Sequence, residues 1–248
     1  MSQQSQQSAV AIVTGGSRGI GASIVRQLAH DGFAVHFSYR SDETSASTLR
    51  DALASQDRIV SASRVDHSDP EASQLWVQDI ASASGAPRVL VNNAGVYPTG
   101  LIADADVQEF DRLVAANVRS AWAVTQAAAP FMQAHGRIIN IGSVFGSRVP
   151  MAGAALYSMH KAALANIGRG WAREFGERGI TVNTLQLGPV DTDMNPSTAD
   201  HAPTLAGMTA LGRYAQPPEI ANVVSFLASP SASYITGAVI DVDGGFNA

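Results

Sequence analysis

At 248 residues, 46% of them hydrophobic and 15% charged, the chain has the size and balance of one large α/β domain or two small ones. A formal charge of −5 argues against nucleic acid and anionic membrane surfaces as partners, because both reward clustered basic residues. With no cysteine there is no disulfide, no thiolate nucleophile and no cysteine-based metal site, an inventory that suits a reducing cytoplasm.

The opening MSQQSQQS lacks the basic residue and apolar run of a signal peptide, and residues 1–8 are expected to form a disordered polar tail. From residue 9 to 248, short apolar runs alternate with helical patterns. AVAIVT (9–14) predicts a first strand, followed by a helix whose apolar side is Ile20, Ile24, Val25 and Leu28. FAVHFS (33–38), RIVSASRVD (58–66), RVLVN (88–92) and RIINIGS (137–143) predict four more strands. A long helical pattern over 153–176, with Ile167, Trp171 and Phe175 on one side, precedes a sixth strand in ITVNTLQL (180–187). AVIDVD (238–243) is the seventh. Most of these runs are nearly continuous in apolar residues, as strands buried on both faces of a parallel sheet are. The expected fold is therefore a single doubly wound Rossmann α/β domain, a seven-stranded parallel sheet flanked by helices. The segment 188–216 carries three prolines and no clear strand. It reads as a lid or as a disordered insert, and its place after a strand's carboxyl end favours a substrate lid. No stretch approaches the ~20 apolar residues of a membrane span.

Chemistry gathers at the strand ends. TGGSRGIG, Thr14–Gly21, follows the first strand and opens the first helix. Glycines there let the backbone turn tightly and approach a pyrophosphate seated on the helix N-terminus. The spacing differs from G-x-G-x-x-G, and a purely structural turn is the alternative. Gly15, Ser17, Arg18, Gly19, Ile20 and Gly21 are the candidate dinucleotide contacts. At the end of the second strand, SYRSDE (38–43) puts Tyr39 where an NAD-selecting fold usually carries an acid. Arg40 and Ser41 follow, and Arg18 stands in the glycine loop. Two guanidiniums would meet a 2′-phosphate, so the expected cofactor is NADP(H) unless both arginines are merely solvated. Asp42 and Glu43 are expected to begin the next helix, where negative charge suits the dipole.

YSMHK, Tyr157–Lys161, holds the only lysine; the other fifteen of the sixteen Lys and Arg residues are arginines. Chance survival of one lysine is one explanation. The other is a site that needs a compact ammonium, which a planar guanidinium does not imitate. Tyr157 and Lys161 stand at i and i+4 on one helix face. A phenol of pKa about 10 is a poor acid or base near neutrality, and a neighbouring ammonium should lower it.

TGGSRGIG, NNAG (92–95), Asn117, Ser143 at the end of IINIGS, YSMHK and SYITGAVIDVDGG (233–245) together resemble the short-chain dehydrogenase/reductase family, in family order over nearly the whole chain. The resemblance implies an NADPH-dependent carbonyl reductase, or in reverse an alcohol dehydrogenase, acting on a small-molecule ketone or secondary alcohol. It implies that Tyr157 is the general acid or base, that Ser143 holds the substrate oxygen, and that Lys161 lowers the tyrosine pKa and binds the nicotinamide ribose. Asn117 would hold a water linking Lys161 to a proton relay. Asn93, Ala94 and Gly95 would pack beside the cofactor, and Asp66 near the adenine. Gly188, Pro189, Val190 and Thr192 would border the nicotinamide, with Thr192 on its carboxamide, although Leu187 stands where the family has proline. No metal is required, and His160 is expected to point away from the Tyr–Lys face. Paired long helices and the C-terminal strand imply a homotetramer. Val96, Tyr97, Val144, Phe145, Met151, Met194, Leu205 and Met208 are either a hydrophobic substrate pocket or core. A 3-oxoacyl-carrier-protein reductase is the alternative within this class. GRIINIGSVFGSRVPMAG and RGITVNTLQLGPVDTDMNP also resemble a subgroup that includes a cyclic-di-GMP-binding biofilm dispersal mediator, which adds a regulatory alternative.

Overall fold

The apolar runs form seven strands in the computed structural model, which describes residues 8–97 and 100–248; all but the last residue of the predicted polar tail lie outside the described residues. The strands are β1 (Val10–Val13), β2 (Ala34–Tyr39), β3 (Val60–Arg64), β4 (Pro87–Asn92), β5 (Arg137–Ile141), β6 (Thr181–Leu187) and β7 (Val239–Val242). They pair in parallel in the order β3-β2-β1-β4-β5-β6-β7. Between them run α1 (Gly19–His30), α2 (Glu43–Ala54), α3 (Pro70–Ser84), α4 (Val107–Val114), α5 (Ser120–Ala128), α6 (Ala155–Phe175), α7 (Ala202–Gly207) and α8 (Pro217–Ala228).

Side chains of a strand alternate between its two faces, and β1 shows what that does here. Ala11 and Val13 pack with Ile24, Val25 and Leu28 of α1, Leu49 of α2 and Val224 of α8. Val10 and Ile12 point the other way, to Trp76 and Val77 of α3, Val124 of α5 and Trp171 of α6. Both faces are thus covered, which is why the run has no polar alternation. Each fully buried aliphatic side chain contributes about 1.5–3 kcal/mol.

The chain winds one way from β1 to β2 and β3, then returns past β1 to β4. Connections leave β1 and β4 in opposite directions, and a crevice opens at their carboxyl ends. Three helices near it start in the ordinary manner. Asp42, Asp69 and Asp106 cap α2, α3 and α4 by accepting from the N–H groups of Ser45, Glu71 and Glu109 at 3.0, 2.9 and 2.6 Å. Asp42 and Glu43 thus begin α2, as expected from the sequence. In α1 no side chain caps the start and no acid stands in the first turn. Its first N–H groups are left to something else.

Two irregularities shape the crevice. α4 and α5 are joined by a π-helical stretch, Ala115–Arg119, which includes Asn117. The segment 188–216 is not structureless: it contains α7, and Val190 bridges Ala215, so its two ends are tied together at the carboxyl end of β6.

Candidate active site

The strand ends open into one cleft of about 1060 Å³, above the ~300–1,000 Å³ usual for a single-ligand pocket. At its floor the glycine turn is fastened to β4. Thr14 Oγ1 accepts from the N–H groups of Asn93 and Ala94, both at 3.0 Å. Asn93 Nδ2 donates back to the carbonyls of Thr14 and Gly15, each at 2.9 Å. Gly15 has φ +65°, the left-handed region that favours glycine. Gly21 is required by proximity, since a Cβ there would lie 2.1 Å from the Gly15 carbonyl oxygen.

All the candidate dinucleotide residues line this cleft: Gly15, Ser17, Arg18, Gly19, Ile20 and Gly21 from the turn, Tyr39, Arg40 and Ser41 after β2, Asp66 after β3, Asn93, Ala94 and Gly95 after β4, and Gly188, Pro189, Val190 and Thr192 after β6. Thr192 keeps its place despite Leu187, its methyl packed over Gly19. Asp66 and Arg40, assigned from the sequence to different parts of a cofactor, form a solvent-exposed ion pair at 3.3 Å. Such pairs contribute little, so Arg40 is readily released to a stronger anion. Bonds from Ser68, with the nearby Arg40, hold the Asp66 carboxyl below its ordinary value. Asp42, which caps α2, also lines this end of the cleft and keeps its negative charge near Arg18.

A dinucleotide phosphate fits this donor set. The uncapped α1 start offers N–H groups and a positive dipole end to a diphosphate. Arg18 and Arg40 also line this end of the cleft, where they could meet a further phosphate, and Lys161 stands at the other end.

At that end Ser143, Tyr157 and Lys161 converge. Ser143 terminates the β5 run; its Oγ accepts from Phe145 N–H at 3.2 Å, and its hydroxyl lies near enough to Tyr157 to draw the phenol pKa down. Lys161 is buried, donates to the Ile141 carbonyl at 2.9 Å, and places Nζ 5.6 Å from the Tyr157 ring centroid. Burial brings its ammonium down to about 8. The expected lowering of the phenol is reversed in the protein itself. Tyr97 stands edge-on to Tyr157 at 4.7 Å and Phe145 at 5.9 Å. Burial pushes Tyr157 up to about 12, outweighing the pull of the nearby Ser143 hydroxyl.

Asn117 is the one predicted residue behind the cleft wall rather than on it. Its carboxamide grips Val96 in both directions, accepting from the N–H at 2.8 Å and donating to the carbonyl at 3.1 Å. It also reaches His160 Nδ1 at 3.4 Å. His160 thus contacts Asn117, which helix spacing alone did not reveal.

The eight apolar residues proposed as pocket or core all line the cleft. Sequence reasoning missed Phe246, which packs with Phe145 and Met208 and is held by Arg148 Nη1 donating to its carbonyl at 3.1 Å. It also missed Ser38 and His67, which line the cofactor end. Their only sequence signal was adjacency to Tyr39 and Asp66. Among the described residues no three His, Cys, Asp or Glu side chains form a metal cluster, and no helix is long and apolar enough to cross a membrane.

Residues 15–247 match a family model described as enoyl-(acyl carrier protein) reductase. The chain is 41% identical over 237 residues to the cyclic-di-GMP-binding biofilm dispersal mediator protein of Escherichia coli K12, covering 96% of each chain. A short-chain dehydrogenase/reductase from Serratia marcescens superposes with a TM-score of 0.95 at 46% identity, covering 98% of this chain and 99% of that one. A short chain dehydrogenase from Burkholderia cenocepacia, solved in complex with NADP, gives a TM-score of 0.95 at 39% identity, over 98% and 99% of the two chains.

Proposed function

The chain belongs to the short-chain dehydrogenase/reductase family, and from that premise we propose that it is an NADPH-dependent carbonyl reductase, acting in reverse as an alcohol dehydrogenase. The observation that carries this reading is the convergence of the Ser143 and Tyr157 hydroxyls on the cleft wall, with the buried Lys161 ammonium behind them. The cofactor is NADP(H), which supplies or accepts the hydride at the substrate carbon when bound. The α1 start would hold its diphosphate, Arg18 and Arg40 its 2′-phosphate, and Lys161 its nicotinamide ribose.

Hydride addition leaves negative charge on the carbonyl oxygen, which needs one proton and a second donor. At neutral pH a phenol held at about 12 is protonated. Tyr157 Oη is thus set to give its proton to the substrate oxygen while the Ser143 hydroxyl steadies the charge. The resulting tyrosinate faces Lys161, the stronger acid at about 8. Proton return from Nζ to Oη therefore runs downhill. Asn117 would act by fixing Val96 on the adjoining wall.

Tyr97, Phe145, Phe246 and Met208 near the reacting groups suit a hydrophobic or aromatic ketone. A 3-oxoacyl thioester would use the same hydroxyls, and a ketone and thioester panel separates the two. The deciding assay is ketone-dependent NADPH oxidation. Tyr157→Phe should lose at least about a hundredfold in rate, and undiminished turnover would remove the assigned mechanism.

A signal-nucleotide role is the second reading, favoured by the likeness to the biofilm dispersal mediator. Calorimetry with cyclic-di-GMP and with NADPH tests it, and absence of cyclic-di-GMP heat removes it. We also propose a cytoplasmic homotetramer. Exposed Trp122 and Met159 on α5 and α6, and Phe226 and Tyr234 towards β7, support it. Light scattering measures the assembly.

A further inference from the structure

The glycine turn is gripped from two sides. Asn93 holds its carbonyls; on the opposite side Ser38, at the end of β2, holds its amides. Gly15 N–H donates to Ser38 Oγ at 3.2 Å and Gly16 N–H to the Ser38 carbonyl at 2.8 Å. Ser38 is itself anchored, with Oγ 2.7 Å from His67 Nε2. His67 Nδ1 lies 2.9 Å from Ser73 Oγ, and the Ser73 hydroxyl donates to the Asp69 carbonyl at 3.1 Å.

One arrangement of donors satisfies every link, with the Ser73 hydroxyl donating to Asp69. The Ser73 hydrogen is spent on Asp69, so Nδ1 carries the proton and donates to Ser73 Oγ. Nε2 is then an acceptor, and the Ser38 hydrogen goes to it. That leaves the Ser38 oxygen free to accept from Gly15. The ring must be neutral, and burial does keep His67 down at about 4. Its ring also packs against Trp76 at 5.2 Å. No other hydrogen-bond partner of the ring is present among the described residues. Ser38, His67 and Ser73 are buried, and the chain of bonds ends on the turn that leads into the uncapped α1 start.

We infer that His67 is a positioning residue for the dinucleotide diphosphate: through Ser38 it fixes the Gly15 and Gly16 amides and so the approach of the glycine turn. The inference rests on the proposed dinucleotide-dependent reaction. It concerns the part of the cofactor shared by NADPH and NADH, so it makes a demand that the arginines do not. His67→Phe keeps the contact with Trp76 but accepts nothing from Ser38, whereas His67→Gln can offer an oxygen near the place of Nε2.

Dissociation constants for NADPH and NADH, steady-state constants and unfolding midpoints should be measured for wild type, His67→Phe, His67→Gln and Ser38→Ala. The loss of one such hydrogen bond corresponds to about a threefold to tenfold weaker binding. His67→Phe and Ser38→Ala should show that loss equally for both dinucleotides, with kcat at saturating cofactor and the ketone KM little changed. His67→Gln should recover most of it. Unchanged binding in His67→Phe, or a loss confined to NADPH, would overturn the inference. So would a fall in kcat and unfolding midpoint together with a rise in ketone KM, which marks a merely structural histidine. Wild-type protein that binds neither dinucleotide would instead overturn the proposed function on which the inference stands.

Discussion

Replacing Lys161 with methionine should abolish ketone reduction and yet relieve a cost in the fold. Burial takes the ammonium from 10.5 down to about 8. At about 1.4 kcal/mol per pH unit, that depression is a cost of about 3 kcal/mol to the folded protein at pH 7. Against it stands the bond to the Ile141 carbonyl, 2.9 Å long. Leaving a buried carbonyl unpartnered costs about 1–3 kcal/mol, so the net gain for the variant is on the order of 1 kcal/mol. In a chain of this size that raises the unfolding midpoint by about 2–4 °C. The sharper signature is pH dependence. Below pH 8 the lysine is charged in both the folded and the unfolded chain, and the full cost is present. Between 8 and 10.5 the folded protein has shed the proton while the unfolded chain still holds it, so wild-type stability rises with pH relative to the variant. Urea unfolding of both proteins from pH 7 to pH 10, at one protein concentration, reads this directly. A stability difference that stays flat across that range would refute the desolvated-ammonium argument.

Gly21→Ala would put a methyl 2.1 Å from the Gly15 oxygen and 2.6 Å from Asn93 Nδ2; a loss of about 1–3 kcal/mol or more is expected in urea unfolding, with weaker NADPH binding by fluorescence titration. The double variant Arg18→Ala, Arg40→Ala should raise the KM for NADPH by about tenfold or more and leave that for NADH nearly unchanged, as steady-state kinetics with each cofactor will show. Lys161→Arg should fold but lose most reductase activity, as ketone-dependent NADPH oxidation will show, because a broad planar guanidinium does not reproduce the compact ammonium that donates to the Ile141 carbonyl.

What the sequence made legible is what local pattern controls. Short apolar runs, most of them nearly continuous, located the seven strands, and β1 shows why, since both faces of Val10–Val13 are covered. The turn 14–21 and the pair Tyr157 and Lys161 are also local, the second fixed by one helical turn. What was missed depends on residues brought from elsewhere in the chain. Tyr97 and Phe145, not the lysine four residues on, dominate the surroundings of the Tyr157 hydroxyl and reverse the expected direction of its pKa. Phe246 reaches the cleft because β7 lies beside β6, and no spacing relates it to residue 145. The Arg40–Asp66 pair likewise arises from the neighbouring ends of β2 and β3, 26 residues apart in the chain.

The π-helical stretch at Ala115–Arg119 bears on how the gene can change. A π turn is an α-helix that has taken in one surplus residue. Deleting a residue there would restore regular hydrogen bonding and a tidier helix. It would also rotate Asn117 relative to either α4 or α5, whose Leu113 and Val124 are wedged in place, and withdraw the carboxamide that grips Val96. A shortened allele of this kind would gain in helix regularity while losing the wall beside Lys161.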